Sequence, residues 1–300
     1  MKRVLPSKLR PYANSVRRLL RRATRQRKLR ITLQDLVDDL SRVGLQRGGV
    51  VIVHSSLSKI GHVEGGGDTV IDALLQVLGP DGTLVMPSFP FDTYVEDYLE
   101  VHREFDAKLT PSRMGKITEL FRQRPGVLRS LHPTHPVAAL GPQAEALTAS
   151  HHLDILSFGR LSPFFRLCEQ DGWILLLGVD YHTMTNLHVV EDCFEAFPYA
   201  VYADKRILVK VRDSGGKEQG IEFRPHAKSL SSLRDCNKME RYFDAAGILR
   251  RGRVGEAEAR LLNGAGVLRV MTDLARRGIT MYVDEHVPPQ HRKTTASHTP

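Results

Sequence analysis

The chain has 300 residues, 41% hydrophobic and 26% charged, with 24 Gly and 16 Pro, a composition that excludes collagen-like, coiled-coil and wholly disordered chains. No stretch of about eighteen uninterrupted apolar residues offers a membrane span. The formal charge of +9 suggests nucleic acid or an anionic membrane until it is located: residues 1–30 hold 12 Lys or Arg and no acid, whereas residues 31–300 carry a net −3.

The sequence divides into a basic arm (1–30), a body (31–285) and a tail (286–300) that lacks an apolar period and reads as disordered. In the arm, Leu5, Leu9, Tyr12, Val16, Leu19 and Ala23 form one helical stripe among arginines. Such a helix suits packing on the body or a partner subunit, an anionic membrane surface, a nucleic-acid contact or an organellar presequence. It lacks the apolar core of a secretory signal. Cys168, Cys193 and Cys236 are odd in number and without CxxC spacing, which argues against a disulfide framework and for a reducing cytoplasm.

In the body, Thr32 and Gly44 bracket a helix. An apolar strand runs from Val50 to Ser56, and a Gly-rich loop (Gly65 to Gly67) follows. Asp68 or Thr69 caps a helix ending at Gly79, and the turn Pro80-Asp81-Gly82 leads to the strand TLVMPSF. This βαβ-like unit implies a parallel or mixed sheet. Residues 90–110 read as irregular. A helix over Gly115–Arg124, an extended Arg129–Gly141, a helical 142–152 and a helix opened by Ser162-Pro163 come next. WILLLGV is a buried strand, LHVVEDCFEAF a helix, and ILVKVRD with IEFRP a hairpin about Gly215-Gly216. Residues 237–249 and 256–278 read as helices and ITMYVDE as a last strand. The fold class is α/β: a central mixed sheet flanked by helices in three layers, with an antiparallel hairpin insertion.

Three constellations could carry chemistry. His54 to Thr69 places hydroxyls at a strand's carboxyl end, then glycines, then a helix N-terminus, which suits phosphates or the amides of a pantetheine arm. It matches neither GxGxxG nor GxxxxGK[ST], and a structural loop is its plainer reading. Gly178 to Asp192 sets Tyr181, His182, Thr183, Thr185 and His188 beyond the apolar strand, where ligands of open α/β sheets gather. His188 and Glu191, three apart, share a helix face, so the carboxylate can fix the tautomer of an imidazole suited to taking a proton near pH 7. A buried histidine satisfied by a carbonyl is the alternative. Finally, His132 and His135 invite a metal, but Pro133 and Pro136 oppose a helix that would join them, and no HExxH or Cys/His cluster is present. No GxSxG elbow supports a serine hydrolase.

Five segments in register resemble the aminoglycoside 3-N-acetyltransferase family, antibiotic acetyltransferases not built on the GNAT fold. They are VVIVHSSLSKIGHVEGGGDTVIDALLQVLGPDGTLVMPSF, MGKITELFRQRPGVLRSLHPTHPVAALG, FGRLSP, WILLLGV with TNLHVVED, and YFDAAGILRRGRVGEAEARLL, over roughly residues 35–280. The resemblance implies transfer of acetyl from acetyl-CoA to an amine; no metal is expected, because the His and Cys spacings above offer no ligand set. His188 matches the family's catalytic histidine and Glu191 its nearby acid. Ser55, Ser56, Leu57, Ser58, Gly61, Gly65, Gly66 and Thr69 would line the CoA side, joined by Ser157 and Phe158. Pro136 stands where the family has a serine-like residue, and Ser157-Phe158-Gly159 where it has PFG.

The reading expects direct transfer with His188 as base and Glu191 orienting it or holding the incoming ammonium. Thr185 and backbone N–H groups of the Gly-rich loop are the candidate oxyanion donors. A polycationic aminoglycoside needs an acidic wall, for which Asp92, Glu96, Asp97, Glu100, Asp180, Glu191 and Glu195 are candidates. The alternative acceptor, a nucleotide-linked or glycan amino sugar, would favour Arg113, Arg129 or Arg160. A third reading makes the chain a binding protein acting through its arm. A homodimer and an anionic membrane surface stay open as partners; nucleic acid is not expected.

Overall fold

A computed structural model describes residues 30–293, so the expectations for the arm lie outside the described residues, apart from Arg30. The strands of the central sheet are β1 (Val50–Ser55), β2 (Thr83–Pro87), β4 (Leu128–Arg129), β5 (Val137–Leu140), β6 (Trp173–Leu177), β9 (Leu249–Val254) and β10 (Ala257–Asn263). They lie in the order β4-β5-β2-β1-β6-β10-β9. β1 runs parallel to β2 and β6, and the flanking pairs are antiparallel. A second sheet, β3 (Glu104–Asp106), β7 (Ile207–Arg212) and β8 (Glu218–Phe223), contains the predicted hairpin.

β1 and β6 are continuous apolar runs because helices cover both of their faces. Val51 and Val53 point into a core shared with α1 (Leu33–Val43) and α2 (Gly67–Leu78). Ile52, Ile174 and Leu176 face the opposite core, shared with α3 (Pro163–Glu169) and α5 (Gly264–Arg276). α1 carries the predicted ends: Thr32 forms a capping box with Asp35, and Gly44 closes the helix at φ +105°. α3 opens on Ser162, whose hydroxyl accepts from the Phe165 N–H at 3.1 Å. Among the described residues no helix is long and apolar enough to cross a membrane.

Several expectations are corrected. α2 starts at Gly67 with no side-chain cap, because Arg124 engages Asp68 while Gly66, at φ +67°, makes the turn. Ala257–Asn263 is strand, not helix. Ala257, Ala259 and Leu261 are buried while Glu258 is exposed, a period of two, and Gly255 at φ +58° turns the chain back from β9. The helix begins only at Gly264, where the Asn263 side chain accepts from the Gly266 N–H. The irregular 90–110 contains a helix, Val95–Val101, and β3, which pairs with β7. ITMYVDE makes only an isolated bridge, Arg234 with Tyr282. The body also runs beyond residue 285. Val287 is buried, and the Lys293 N–H donates to the Pro198 carbonyl at 2.9 Å.

Candidate active site

His54 and Ser55 end β1 beside Leu176 and Leu177 of β6. The two strands therefore deliver their following loops to one sheet edge, where α/β folds bind ligands. After β6, Gly178 takes φ +69°; a Cβ there would lie 2.6 Å from the Lys59 Cβ. Only glycine lets the loops approach so closely. Asp180 accepts from the His182 N–H, fixing the 3-10 turn Tyr181–Thr183. A second such turn, Thr185–His188, runs into α4 (Val189–Cys193). The loops enclose a cleft of about 400 Å³ lined by Ser55, Thr185, His188, Phe158, His226 and Arg234, among others.

At its base lies a hydrogen-bonded cluster. His188 Nδ1 is 3.0 Å from Glu191 Oε2, the Tyr282 hydroxyl donates to Oε1 at 2.7 Å, and His226 Nε2 lies 3.2 Å from Oε2. Arg234 donates to His226 Nδ1 at 2.9 Å. The Glu191 side chain is wholly buried. Burial works against its charge, but its partners His188 and His226 outweigh that and hold the carboxyl well below its usual range. A carboxylate only accepts, so the His188 proton sits on Nδ1 and Nε2 keeps its lone pair. Burial draws His188 below 6.5; Glu191 opposes this and Arg234 adds to it. The ring is therefore a neutral base at pH 7. Phe158 stacks on it with centroids 5.1 Å apart, and the Phe158 N–H donates to Asp192 at 2.8 Å. Burial, with the nearby Glu191 charge, pushes Asp192 up to about 8 against the pull of its Tyr202 hydrogen bond.

Residues 52–276 match the family model for aminoglycoside 3-N-acetyltransferases. The chain belongs to that family. It is accordingly an acyltransferase. Aminoglycoside N(3)-acetyltransferase VII of Streptomyces paromomycinus is 34% identical over 258 residues, covering 79% of this chain and 89% of that protein. The solved structure of AAC-IIIb as a binary complex with CoASH superposes with a TM-score of 0.71 at 28% identity, covering 83% of this chain and 97% of that one. A mutant of AAC(3)-IVa in complex with a gentamicin gives 0.71 at 29% identity, covering 88% and 94%.

In this acetyltransferase the expected site residues separate into two groups. Ser55, Thr185, His188 and Phe158 line the cleft, with Glu191 directly behind His188. Ser56, Leu57, Ser58, Gly61, Gly65, Gly66, Thr69 and Ser157 are not among the lining residues. Leu57–Ile60 is a single helical turn, and the Ser56 N–H is spent on the Leu177 carbonyl. Thr69 crowds Gly65, where a Cβ would strike its hydroxyl. Ser157 is buried, its carbonyl 3.0 Å from His151 Nε2.

The acidic wall is corrected as well. Of its seven candidates only Asp92 lines the cleft. Glu96 accepts from the Lys228 N–H, Asp97 pairs with Lys228 Nζ at 2.8 Å, and Asp180 serves as a cap. Nor is Arg129 available to a phosphate: it is largely buried, its guanidinium donating to the Thr110, Ser88 and Ala107 carbonyls. Arg113 and Arg160 are not among the lining residues.

His226, Arg234 and Tyr282 escaped the sequence reading because no spacing links them to His188. Phe89 and Phe91, just past β2, could have been found from their place at the same sheet edge. His188, Glu191 and His226 are the described residues whose donor atoms converge as a metal set would, within 4.8 Å. Yet Arg234 has only donors to offer, so His226 Nδ1 accepts and its proton sits on Nε2, which lies 3.2 Å from Glu191 Oε2 and offers no lone pair to a metal. These donor directions suit a hydrogen-bonded cluster better than a ligand set. His132 and His135 take no part; the His132 Nδ1 accepts the Thr134 and His135 N–H groups within its own turn.

Proposed function

We propose that this enzyme transfers acetyl from acetyl-CoA directly to an amino group of an aminoglycoside, with His188 as general base. The observation that carries the reading is a cleft-lining imidazole whose Nδ1–H is committed to a buried carboxylate, which leaves Nε2 to accept a proton. An ammonium cannot attack a thioester, so the acceptor reacts as the free amine, one proton having gone to solvent, and His188 takes a second proton from the nitrogen as it attacks. The C–N bond forms, the C–S bond breaks, and the proton held on Nε2 passes to the departing CoA sulfur. Thr185 and nearby backbone N–H groups are candidates to hold the oxyanion between these steps. CoASH and the gentamicin in the related structures support the two ligand classes. The phosphate-bearing acceptor loses support with Arg129 buried.

The test is release of CoA from acetyl-CoA in the presence of gentamicin and simpler amino sugars, with the product's N-acetyl group located by mass spectrometry. Acceptor-dependent CoA release is expected. No release with any amine would overturn the reading.

A further inference from the structure

We infer that Arg234 is a positioning residue for acetyl transfer, acting through His226 and Tyr282 on both oxygens of Glu191 and so keeping the lone pair of His188 on Nε2. The inference rests on the reading of His188 as the base. Arg234 reaches Glu191 by two arms. One guanidinium nitrogen donates to His226 Nδ1 at 2.9 Å, and Nε donates to the Tyr282 hydroxyl at 3.4 Å. A guanidinium has no acceptor, so both partners must accept from it. His226 therefore carries its proton on Nε2, 3.2 Å from Glu191 Oε2, and the Tyr282 hydroxyl gives its own proton to Oε1 at 2.7 Å. The other His226 tautomer would set a lone pair against Oε2. That oxygen is the one that accepts from His188 Nδ1 at 3.0 Å.

Arg234 is also the cation that offsets the Glu191 charge. Of the charges acting on His188, Glu191 favours a proton on the ring and Arg234 opposes it. The other titratable groups packed around the cluster are neutral at pH 7. Burial draws His226 down to about 4 and His135 well below 6.5. It pushes Asp192 up to about 8, Cys236 to about 12, and the Tyr202 and Tyr282 hydroxyls well above 10. Asp92 and His182 line the same cleft but are exposed, where water screens them. Without the guanidinium, Glu191 would be a buried anion lacking its cation. His188, hydrogen-bonded to it, is the group placed to take up a proton. An imidazolium has no lone pair for the acceptor amine.

The test measures CoA release from acetyl-CoA with gentamicin, from acid to alkaline pH, for the wild-type enzyme, Arg234→Met and Arg234→Lys. Arg234→Met is expected to lower kcat at pH 7 by about 10²-fold, the usual cost of misaligning a catalytic group, with both KM values unchanged. The acid limb of its kcat profile should move to higher pH, because His188 then holds its proton more tightly. Arg234→Lys, a cation with only donors, should recover most of the kcat and return the limb. Nitrogen NMR of the histidine side chains in the wild-type enzyme gives a readout that needs no turnover and no variant. His226 is expected to carry its proton on Nε2 and His188 on Nδ1. An Arg234→Met enzyme whose acid limb stays in place would overturn the inference, and so would a His226 protonated on Nδ1. A raised KM for gentamicin at unchanged kcat would make Arg234 a ligand contact instead. Each of these results leaves acetyl transfer standing, whereas no CoA release by the wild-type enzyme with any amine would remove both.

Discussion

Replacing His188 with Ala is expected to lower kcat for acetyl transfer by about 10²–10⁴-fold, the usual contribution of a positioned base, with little change in the KM for acetyl-CoA. The ring lies in the cleft and is neutral at pH 7, so its removal takes away the proton acceptor without creating a new charge. Glu191→Gln should cost a comparable factor for a different reason. Glu191 Oε2 accepts from His188 Nδ1 at 3.0 Å, and a carboxamide can turn its NH₂ toward that nitrogen. The proton would then move to Nε2, and the base would lose its lone pair. Steady-state CoA release, with circular dichroism to confirm folding, measures both. A His188→Ala enzyme that keeps most of its turnover would reject the assignment, whatever the behaviour of Glu191→Gln.

The second large effect is on stability. Burial pulls His54 down to about 3. It also pulls His151 and His226 down to about 4, and His132 and His135 well below 6.5. The unfolded chain binds protons at these rings near the ordinary 6.5, whereas the folded chain binds them only at much lower pH. Stability is therefore full above about pH 6.5 and is lost as pH falls below it, by roughly 1 kcal/mol per pH unit for each such ring. Asp192 has the opposite sign. Raised to about 8, it favours the folded state as pH drops toward 3.8. One carboxyl does not offset five rings. Domains of ordinary stability hold about 5–15 kcal/mol, so the melting temperature should fall steeply between pH 6.5 and 5, before most carboxylates titrate. Scanning fluorimetry across that interval measures it; a flat profile would show that these rings are solvated or already charged in the folded protein.

What was legible in the sequence followed from local chemistry. The apolar runs of β1 and β6 needed no tertiary information, nor did the Thr32 cap or the three-residue spacing of His188 and Glu191. The β9–β10 hairpin was misread because Ala257, Ala259 and Leu261 lie in a stretch rich in good helix formers, and pairing with β6 overrode that preference. The other half of the His188–Glu191 cluster was hidden for a topological reason. His226 and Tyr282 reach Glu191 through isolated bridges, Tyr202 with His226 and Arg234 with Tyr282, which leave no periodic trace. The acidic wall failed similarly. Net charge counts carboxylates but does not reveal that Lys228, 131 residues away in sequence, occupies Asp97.

Direct attack by the acceptor amine on the thioester is the centre of the proposed chemistry. Its most direct test is to mix the enzyme with acetyl-CoA alone, quench at short times, and measure both free CoA and the mass of the intact protein. Direct transfer predicts no CoA released without acceptor and no gain of an acetyl group on the protein. A burst of CoA equal to the enzyme concentration, together with an acetylated chain that then passes its acetyl group to an added amine, would contradict it.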